Sequence, residues 1–228
     1  MCISENIMRI RDEISEIAIK SGRNPDDIKL VAASKTRSSD EIRKAIIAGV
    51  DAVGENRVQE MLVKNGENAY AGKPLHFIGT LQSNKVRQIV GVCDLIESVD
   101  SAALVTSIGK KAQSLGIVQK ILIEVNIGRE PQKSGILPEQ LDDVFCLAAQ
   151  TKGISVLGLM AIPPICEEFE RICYHFDAMM KLFVDISEKK YDNSSVQLLS
   201  MGMSDSYADA IRAGANMVRI GTAIFGMR

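Results

Sequence analysis

The sequence predicts an α/β protein, a (β/α)8 barrel of the TIM type preceded by one extra helix, in a single domain over residues 1–228. Three observations predict it. Eight short runs of nearly unbroken apolar residues recur along the chain, the pattern of strands buried on both faces. Between most of them lie segments with apolar residues at helical spacing, which is how helices covering a parallel sheet read. The 228 residues suffice for such a barrel, and no linker, repeat or low-complexity tract divides them. An open doubly wound sheet has the same periodicities and stands as the alternative.

Residues 1–22 carry Ile3, Ile7, Ile10, Ile14 and Ile17 on one stripe, with Arg9, Arg11, Asp12 and Glu13 around it. They form a helix that packs on the barrel of residues 29–228. Ser4 is its expected cap, and Gly22 followed by Pro25 ends it. The expected strands are residues 30–34, 52–54, 75–79, 95–99, 121–126, 156–161, 197–200 and 217–221. Pro138 opens one intervening helix, in which Leu141, Val144, Phe145 and Ala148 share a face. Phe169, Ile172, Phe176, Met180 and Phe183 line another, as a core stripe.

Composition narrows the chemistry. With 27 Lys+Arg against 29 Asp+Glu there is no basic excess to neutralise phosphates, so a nucleic-acid partner is not expected. Four acids within the first 16 residues argue against a signal or transit peptide. The longest apolar run, residues 156–166, is broken by Gly158, Pro163 and Pro164 and is too short to span a bilayer. Five cysteines, Cys2, Cys93, Cys146, Cys166 and Cys173, form an odd set without a CxxC, the pattern of reduced thiols in a cytoplasmic protein. Two histidines, His76 and His175, leave little for a metal site or a His-centred triad, so no metal is expected. GxGxxG and GxxxxGK[ST] are both absent.

Barrel sites lie at the C-terminal ends of the strands. Reading those ends gives Lys35, Glu55-Asn56, Thr80, Asp100, Asn126, Met160-Ala161, the 200–204 segment, and Arg219 with Gly221-Thr222. Lys35 directly follows an apolar strand, where partial desolvation favours a neutral amine able to form a Schiff base. A solvated loop lysine is the alternative. Ser200, Gly202, Met203 and Ser204 join the seventh strand to a helix expected over residues 205–213, with Ser204 as its N-cap. Free N–H groups at such a turn make an anion site, and Gly221 and Thr222 add donors from the next strand end. A plain cap and a tight turn explain the same residues without a ligand. Together, a Schiff-base lysine on strand one and a phosphate cradle at strands seven and eight are neighbours once the barrel closes. Pyridoxal phosphate, with an aldehyde at one end and a phosphate at the other, matches that geometry, and Arg219 is placed to face its ring nitrogen.

These motifs carry a family resemblance. Leu30-Val31-Ala32-Ala33-Ser34-Lys35-Thr36, Gly54-Glu55-Asn56-Arg57-Val58-Gln59-Glu60 and His76-Phe77-Ile78-Gly79-Thr80-Leu81-Gln82-Ser83-Asn84-Lys85 resemble the pyridoxal phosphate homeostasis protein family. So do Leu199-Ser200-Met201-Gly202-Met203-Ser204 and Val218-Arg219-Ile220-Gly221-Thr222. The family is similar in fold to the barrel domain of alanine racemase. The resemblance implies Lys35 as the Schiff-base lysine, Arg219 against the pyridine nitrogen, Ser200, Ser204, Gly221 and Thr222 around the phosphate, and Asn56, Gly202 and Met203 in the same pocket. Thr80 departs from the family, which has His after the Phe-Ile-Gly run, and residues 37–48 lack its aromatic and Gln-Arg pattern.

Two classes of function follow. The first is a cytoplasmic protein, a monomer, that holds pyridoxal phosphate on Lys35 and serves vitamin B6 homeostasis with no substantial turnover. Its contacts with cofactor-accepting enzymes are expected to be transient. The second is an amino-acid racemase on the same barrel, which needs a second base from an additional domain. No such domain follows Arg228, and Tyr70, Tyr174, Tyr191 and Tyr207 fall on helices or loops, which favours the first. A Schiff-base lyase barrel without cofactor is a third reading, separable by an absorbance spectrum.

Overall fold

The computed structural model describes residues 2–164, 169–189, 191 and 193–227. Cys166 lies outside them, and the side chains of Phe169 and Ile172 are likewise outside the description. All eight expected strands form: β1 (Lys29–Ala33), β2 (Ala52–Glu55), β3 (Leu75–Phe77), β4 (Leu95–Val99), β5 (Gln119–Glu124), β6 (Ile154–Met160), β7 (Ser194–Ser200) and β8 (Met217–Ile220). They pair in parallel and in chain order, and β8 returns to β1, so the sheet is a closed barrel and not an open doubly wound sheet.

The helices are α1 (Ile3–Lys20), α2 (Ser39–Ile47), α3 (Val58–Gly66), α4 (Val86–Ile89), α5 (Ala102–Leu115), α6 (Leu141–Gln150), α7 (Phe169–Glu188), α8 (Tyr207–Arg212) and α9 (Thr222–Phe225). Strand residues alternate between the two faces. Val31, Ala52, Leu95, Leu122, Met160 and Met217 meet in one cluster inside the barrel. Their neighbours Leu30, Ala32, Val218 and Ile220 instead join Ile7, Ile10, Ile14 and Ala18 of α1. The extra helix therefore covers the seam where β8 meets β1. Ile7, Ile10 and Ile14 are buried there, each worth about 1.5–3 kcal/mol of burial.

One expectation about α1 is corrected. The cap is Cys2, not Ser4: the Glu5 N–H donates to Cys2 Sγ at 3.5 Å and the Cys2 N–H donates to Glu5 Oε2 at 2.8 Å. The apolar stripe extends to Ile3, so the helix begins one residue before Ser4 and places that serine inside the first turn.

Candidate functional site

The seam between β8 and β1 brings the two ends of the sequence-predicted site together. In its register Val31 lies beside Arg219 and Ala32 beside Ile220. Ala33 therefore runs beside Gly221, where an added Cβ would stand 3.1 Å from the Ala33 carbonyl oxygen. Beyond Ala33, the buried Ser34 holds to β2 through its N–H and the Gly54 carbonyl at 2.9 Å. The chain then turns at Lys35 and Thr36, with Thr36 at a φ of 64°. Lys35 itself is exposed, which corrects the expectation of a desolvated lysine. The reason is local: β1 ends two residues earlier, and burial ends with Ser34.

The 200–204 turn is zipped to β8. Met201 donates to the Met217 carbonyl at 3.1 Å, and the Arg219 N–H donates to the Gly202 carbonyl at 3.1 Å. Gly202 has a φ of +91°, and a Cβ on it would come within 2.6 Å of Ala210 Cβ, so only glycine passes here. Ser204 is not the cap of the following helix, which starts at Tyr207 with Ser206 at its N-cap. Met203 and Ser206 close the turn, with the Ser206 and Tyr207 N–H groups on the Met203 carbonyl at 3.0 and 2.8 Å. Ser204 serves a different helix: its Oγ accepts the Ala223 N–H at 3.2 Å, at the start of α9. Gly221 is the N-cap of α9 and Thr222 its exposed first residue.

Inside the barrel, below this mouth, lies a layer of polar side chains where barrels of this class pack apolar ones. Arg219 is 3% exposed and donates from Nη1 to Ser200 Oγ at 2.5 Å and from Nη2 to the Ala161 carbonyl at 2.9 Å. The Ser200 hydroxyl in turn donates to Glu97 Oε2 at 2.5 Å, and Glu97 Oε2 stands 3.8 Å from Arg219. The other Glu97 oxygen meets His76 Nδ1 at 2.7 Å. Burial drives the Glu97 carboxyl up, but the His76 hydrogen bond and charge, the Arg219 charge and the Ser200 hydroxyl outweigh it and hold the group below the usual carboxylate range. Burial pulls Arg219 down against the opposing charges of Glu97 and Glu124. The Ser200 hydroxyl is thus committed to Glu97 and Arg219, a position different from the phosphate side expected for it.

Glu124, at the end of β5, completes the layer. Burial, reinforced by Asp100 and Glu97 and opposed by Arg219, pushes its carboxyl up to about 7. It lines a cavity of about 300 Å3 at the mouth together with Asn56, Thr80, Lys133 and Ser134. Asn56 Oδ1 is buried there without a protein partner. Gly79 carries no Cβ because one would stand 2.1 Å from the Asn56 carbonyl oxygen, so the chain just after β3 presses directly on the Asn56 backbone. Thr80 is exposed, its hydroxyl 2.9 Å from that of Ser134. Asn126 does not reach into this cavity as a free polar end; its side chain pins the following loop through Glu130 and Lys133 backbone atoms.

His76, Glu97 and Glu124 are the residues that sequence reading missed. Their signal is parity: each occupies an inward position of its strand, where an ionisable group inside an apolar run needs a partner. A second buried cluster lies outside the barrel wall, where Glu55 of β2, named above as a strand-end residue, meets Lys64 of α3 at 2.7 Å. Burial pushes the Glu55 carboxyl up, opposed chiefly by Lys64 and Ser34. Among the described residues no group of three or more His, Cys, Asp or Glu side chains is arranged to hold a metal ion. None of their helices is long and apolar enough to cross a membrane. The mouth as a whole suits a small ligand that is anionic beside β7 and β8 and electrophilic beside β1.

Comparison with known proteins gives the same direction. Residues 8–228 match the family model of the alanine racemase N-terminal domain. A relative from Aquifex aeolicus, named pyridoxal phosphate homeostasis protein, is 40% identical over 98% of this chain and 97% of its own. The solved structure of PipY from Synechococcus elongatus PCC7942 with PLP bound is 31% identical, covers 98% of this chain and 100% of its own, and has a TM-score of 0.85. Alanine racemase of Clostridium difficile 630 shares the fold at a TM-score of 0.75 and 16% identity, over 98% of this chain and 57% of its own.

Proposed function

This chain belongs to the pyridoxal phosphate homeostasis protein family, built on the alanine racemase N-terminal domain, and from that premise we propose that it binds pyridoxal 5′-phosphate at the barrel mouth and keeps it without substantial turnover. The observation that carries the reading is the seam: the Lys35 turn, the Gly221-Thr222 start of α9 and the buried Arg219 are adjacent because β8 pairs with β1. The residues fit the cofactor on two further counts. Asn56 Oδ1 is a buried acceptor with no protein donor, as expected beside a polar ring substituent. The backbone N–H groups of Gly202 and Gly221, with the hydroxyl of the exposed Thr222, are donors that an anion at the ends of β7 and β8 would use.

When bound, pyridoxal phosphate supplies an aldehyde that captures amines and a ring that accepts electrons. Lys35 would supply the amine that holds the aldehyde end of the cofactor. The N–H groups of Gly202 and Gly221 and the hydroxyls of Ser204 and Thr222 would hold the phosphate, whereas the Met203 N–H is engaged by Ser206 Oγ at 3.2 Å. Arg219 would face the ring nitrogen as a fixed cation, since a guanidinium does not deprotonate in this range. Its charge would disfavour a proton on that nitrogen and so weaken the ring as an electron sink. Glu97, 3.8 Å away, offsets part of that charge, and the Ser200 hydroxyl and Ala161 carbonyl orient the guanidinium.

Limited turnover has its own support. Tyrosine is the residue type expected for a second base, and none of the four stands ready at the mouth. The Tyr207 hydroxyl donates to Glu13 of α1, and that of Tyr70 points to Glu55 and the Met61 carbonyl. Tyr191 packs on Phe145, and Tyr174 is 70% exposed on α7. The test is α-proton exchange: loaded protein is incubated with alanine and serine in D2O and deuterium incorporation is followed. Exchange is expected to stay far below about 1 s⁻¹, the lower end of ordinary enzyme turnover. Faster exchange that disappears in Lys35→Ala assigns the protein to the racemases.

A further inference from the structure

Both neighbours of Lys35 are tied to one buried ion cluster on the outer side of the barrel. Strand parity sends Glu55 outward, where it is fully buried against α3. Lys64 of α3 meets it at 6% exposure, its Nζ donating to Glu55 Oε1 at 2.7 Å and to Glu60 Oε1 at 2.6 Å. The same nitrogen donates to the carbonyl of Ser34, the residue before Lys35, at 2.9 Å. The Ser34 hydroxyl donates to Glu55 Oε1 at 2.6 Å. On the far side of Lys35, the Thr36 N–H donates to Glu60 Oε1.

An ammonium has three donors, and all three of Lys64 are used, one of them on the turn itself. Thr36 sits at a φ of 64°, a left-handed conformation that a β-branched residue adopts only where its surroundings fix it. The group that fixes it is the Glu60 carboxylate, which Lys64 holds in place. Residues 34 and 36 are therefore both held from α3, on either side of Lys35.

We propose that Glu60, Lys64 and Glu55 are positioning residues for Lys35: they lock the 34–36 turn so that its amine is presented from one backbone geometry. This rests on reading Lys35 as the attachment lysine. An amine held in a reactive geometry avoids the loss of orientational freedom that a mobile turn would suffer on joining the aldehyde. The cluster bonds to the residues on either side of Lys35, so its influence acts at the Lys35 end of the ligand.

The experiment compares Glu60→Ala, which removes the acceptor for Thr36, with Glu60→Gln, which keeps one. Lys64 retains Glu55 in both, so the buried pair survives. In the cofactor-free proteins, hydrogen exchange at the Thr36 amide should accelerate about tenfold to a hundredfold in Glu60→Ala and much less in Glu60→Gln, as for loss of one bond to a charged acceptor. Affinity for pyridoxal phosphate should fall about tenfold in Glu60→Ala, while affinity for pyridoxine 5′-phosphate, with an alcohol in place of the aldehyde, stays unchanged. Equal losses for both ligands would mean general loosening of the barrel and overturn the proposal. So would faster Thr36 exchange with unaltered pyridoxal phosphate affinity. If the unmutated protein captures no aldehyde at Lys35, the functional reading fails instead, while the Thr36 exchange comparison still reports on the clamp.

Discussion

Replacing Glu124 by glutamine should make the protein more stable at alkaline pH and leave it unchanged in acid. Glu124 is 5% exposed, and burial, with Asp100 and Glu97 adding to it and Arg219 opposing it, moves its carboxyl from 4.5 to about 7. The folded chain therefore binds a proton here that the unfolded chain has released, between pH 4.5 and about 7. Stability is greatest below the lower value and declines as pH rises through the upper one. At about 1.4 kcal/mol for each tenfold change in acidity, the ionised group costs at most about 3 kcal/mol by pH 8. Glutamine keeps the shape and never ionises, so it escapes that decline. Urea titrations of the cofactor-free proteins at pH 4.5, 6, 7 and 8 should show a gap opening from near zero to about 2–3 kcal/mol. Thermal melts should separate by about 4–12 °C at pH 8, given about 2–4 °C per kcal/mol for a chain of this size. A gap that does not change with pH, or a less stable variant at pH 8, would refute the reasoning.

The same substitution at Glu97 should act with the opposite sign. Glu97→Gln strips the buried Arg219 of its counter-charge at 3.8 Å, and breaking such a pair costs about 3–5 kcal/mol, read as a lower denaturation midpoint at neutral pH. Ser204→Ala removes a hydroxyl beside the α9 start, so affinity for pyridoxal phosphate should fall about tenfold to a hundredfold while that for unphosphorylated pyridoxal stays level. Equal losses for the two ligands, measured by fluorescence titration, would place the phosphate elsewhere.

The barrel was legible because buried parallel strands leave unbroken apolar runs, and these appear in the sequence whatever their partners. The positions of Lys35, Arg219 and Ser204 near the strand ends were legible for the related reason that strand ends are where such runs stop. Glu124 escaped because the apolar run continues through Val125, which hid the end of β5 two residues before Asn126. His76 and Glu97 lie inside strands, and only closure of the barrel brings them to Ser200 and Arg219. Ser204 and Ser206 are both plausible caps by residue type; the tight turn at Gly202 decides for Ser206 and frees Ser204 for α9. Lys64 reads as an ordinary helix lysine until α3 is docked on Glu55.

The central claim is that Lys35 holds pyridoxal phosphate covalently, and its most direct measurement is borohydride reduction followed by peptide mapping. Purified protein is loaded with pyridoxal phosphate, reduced to fix any carbon–nitrogen double bond, digested and analysed by mass spectrometry. The account predicts one stoichiometric adduct, on the peptide containing Lys35, and its disappearance in Lys35→Ala with loss of visible absorbance. An adduct mapped to another lysine of the unmutated protein, such as Lys85 or Lys133, or no adduct at all, would contradict it.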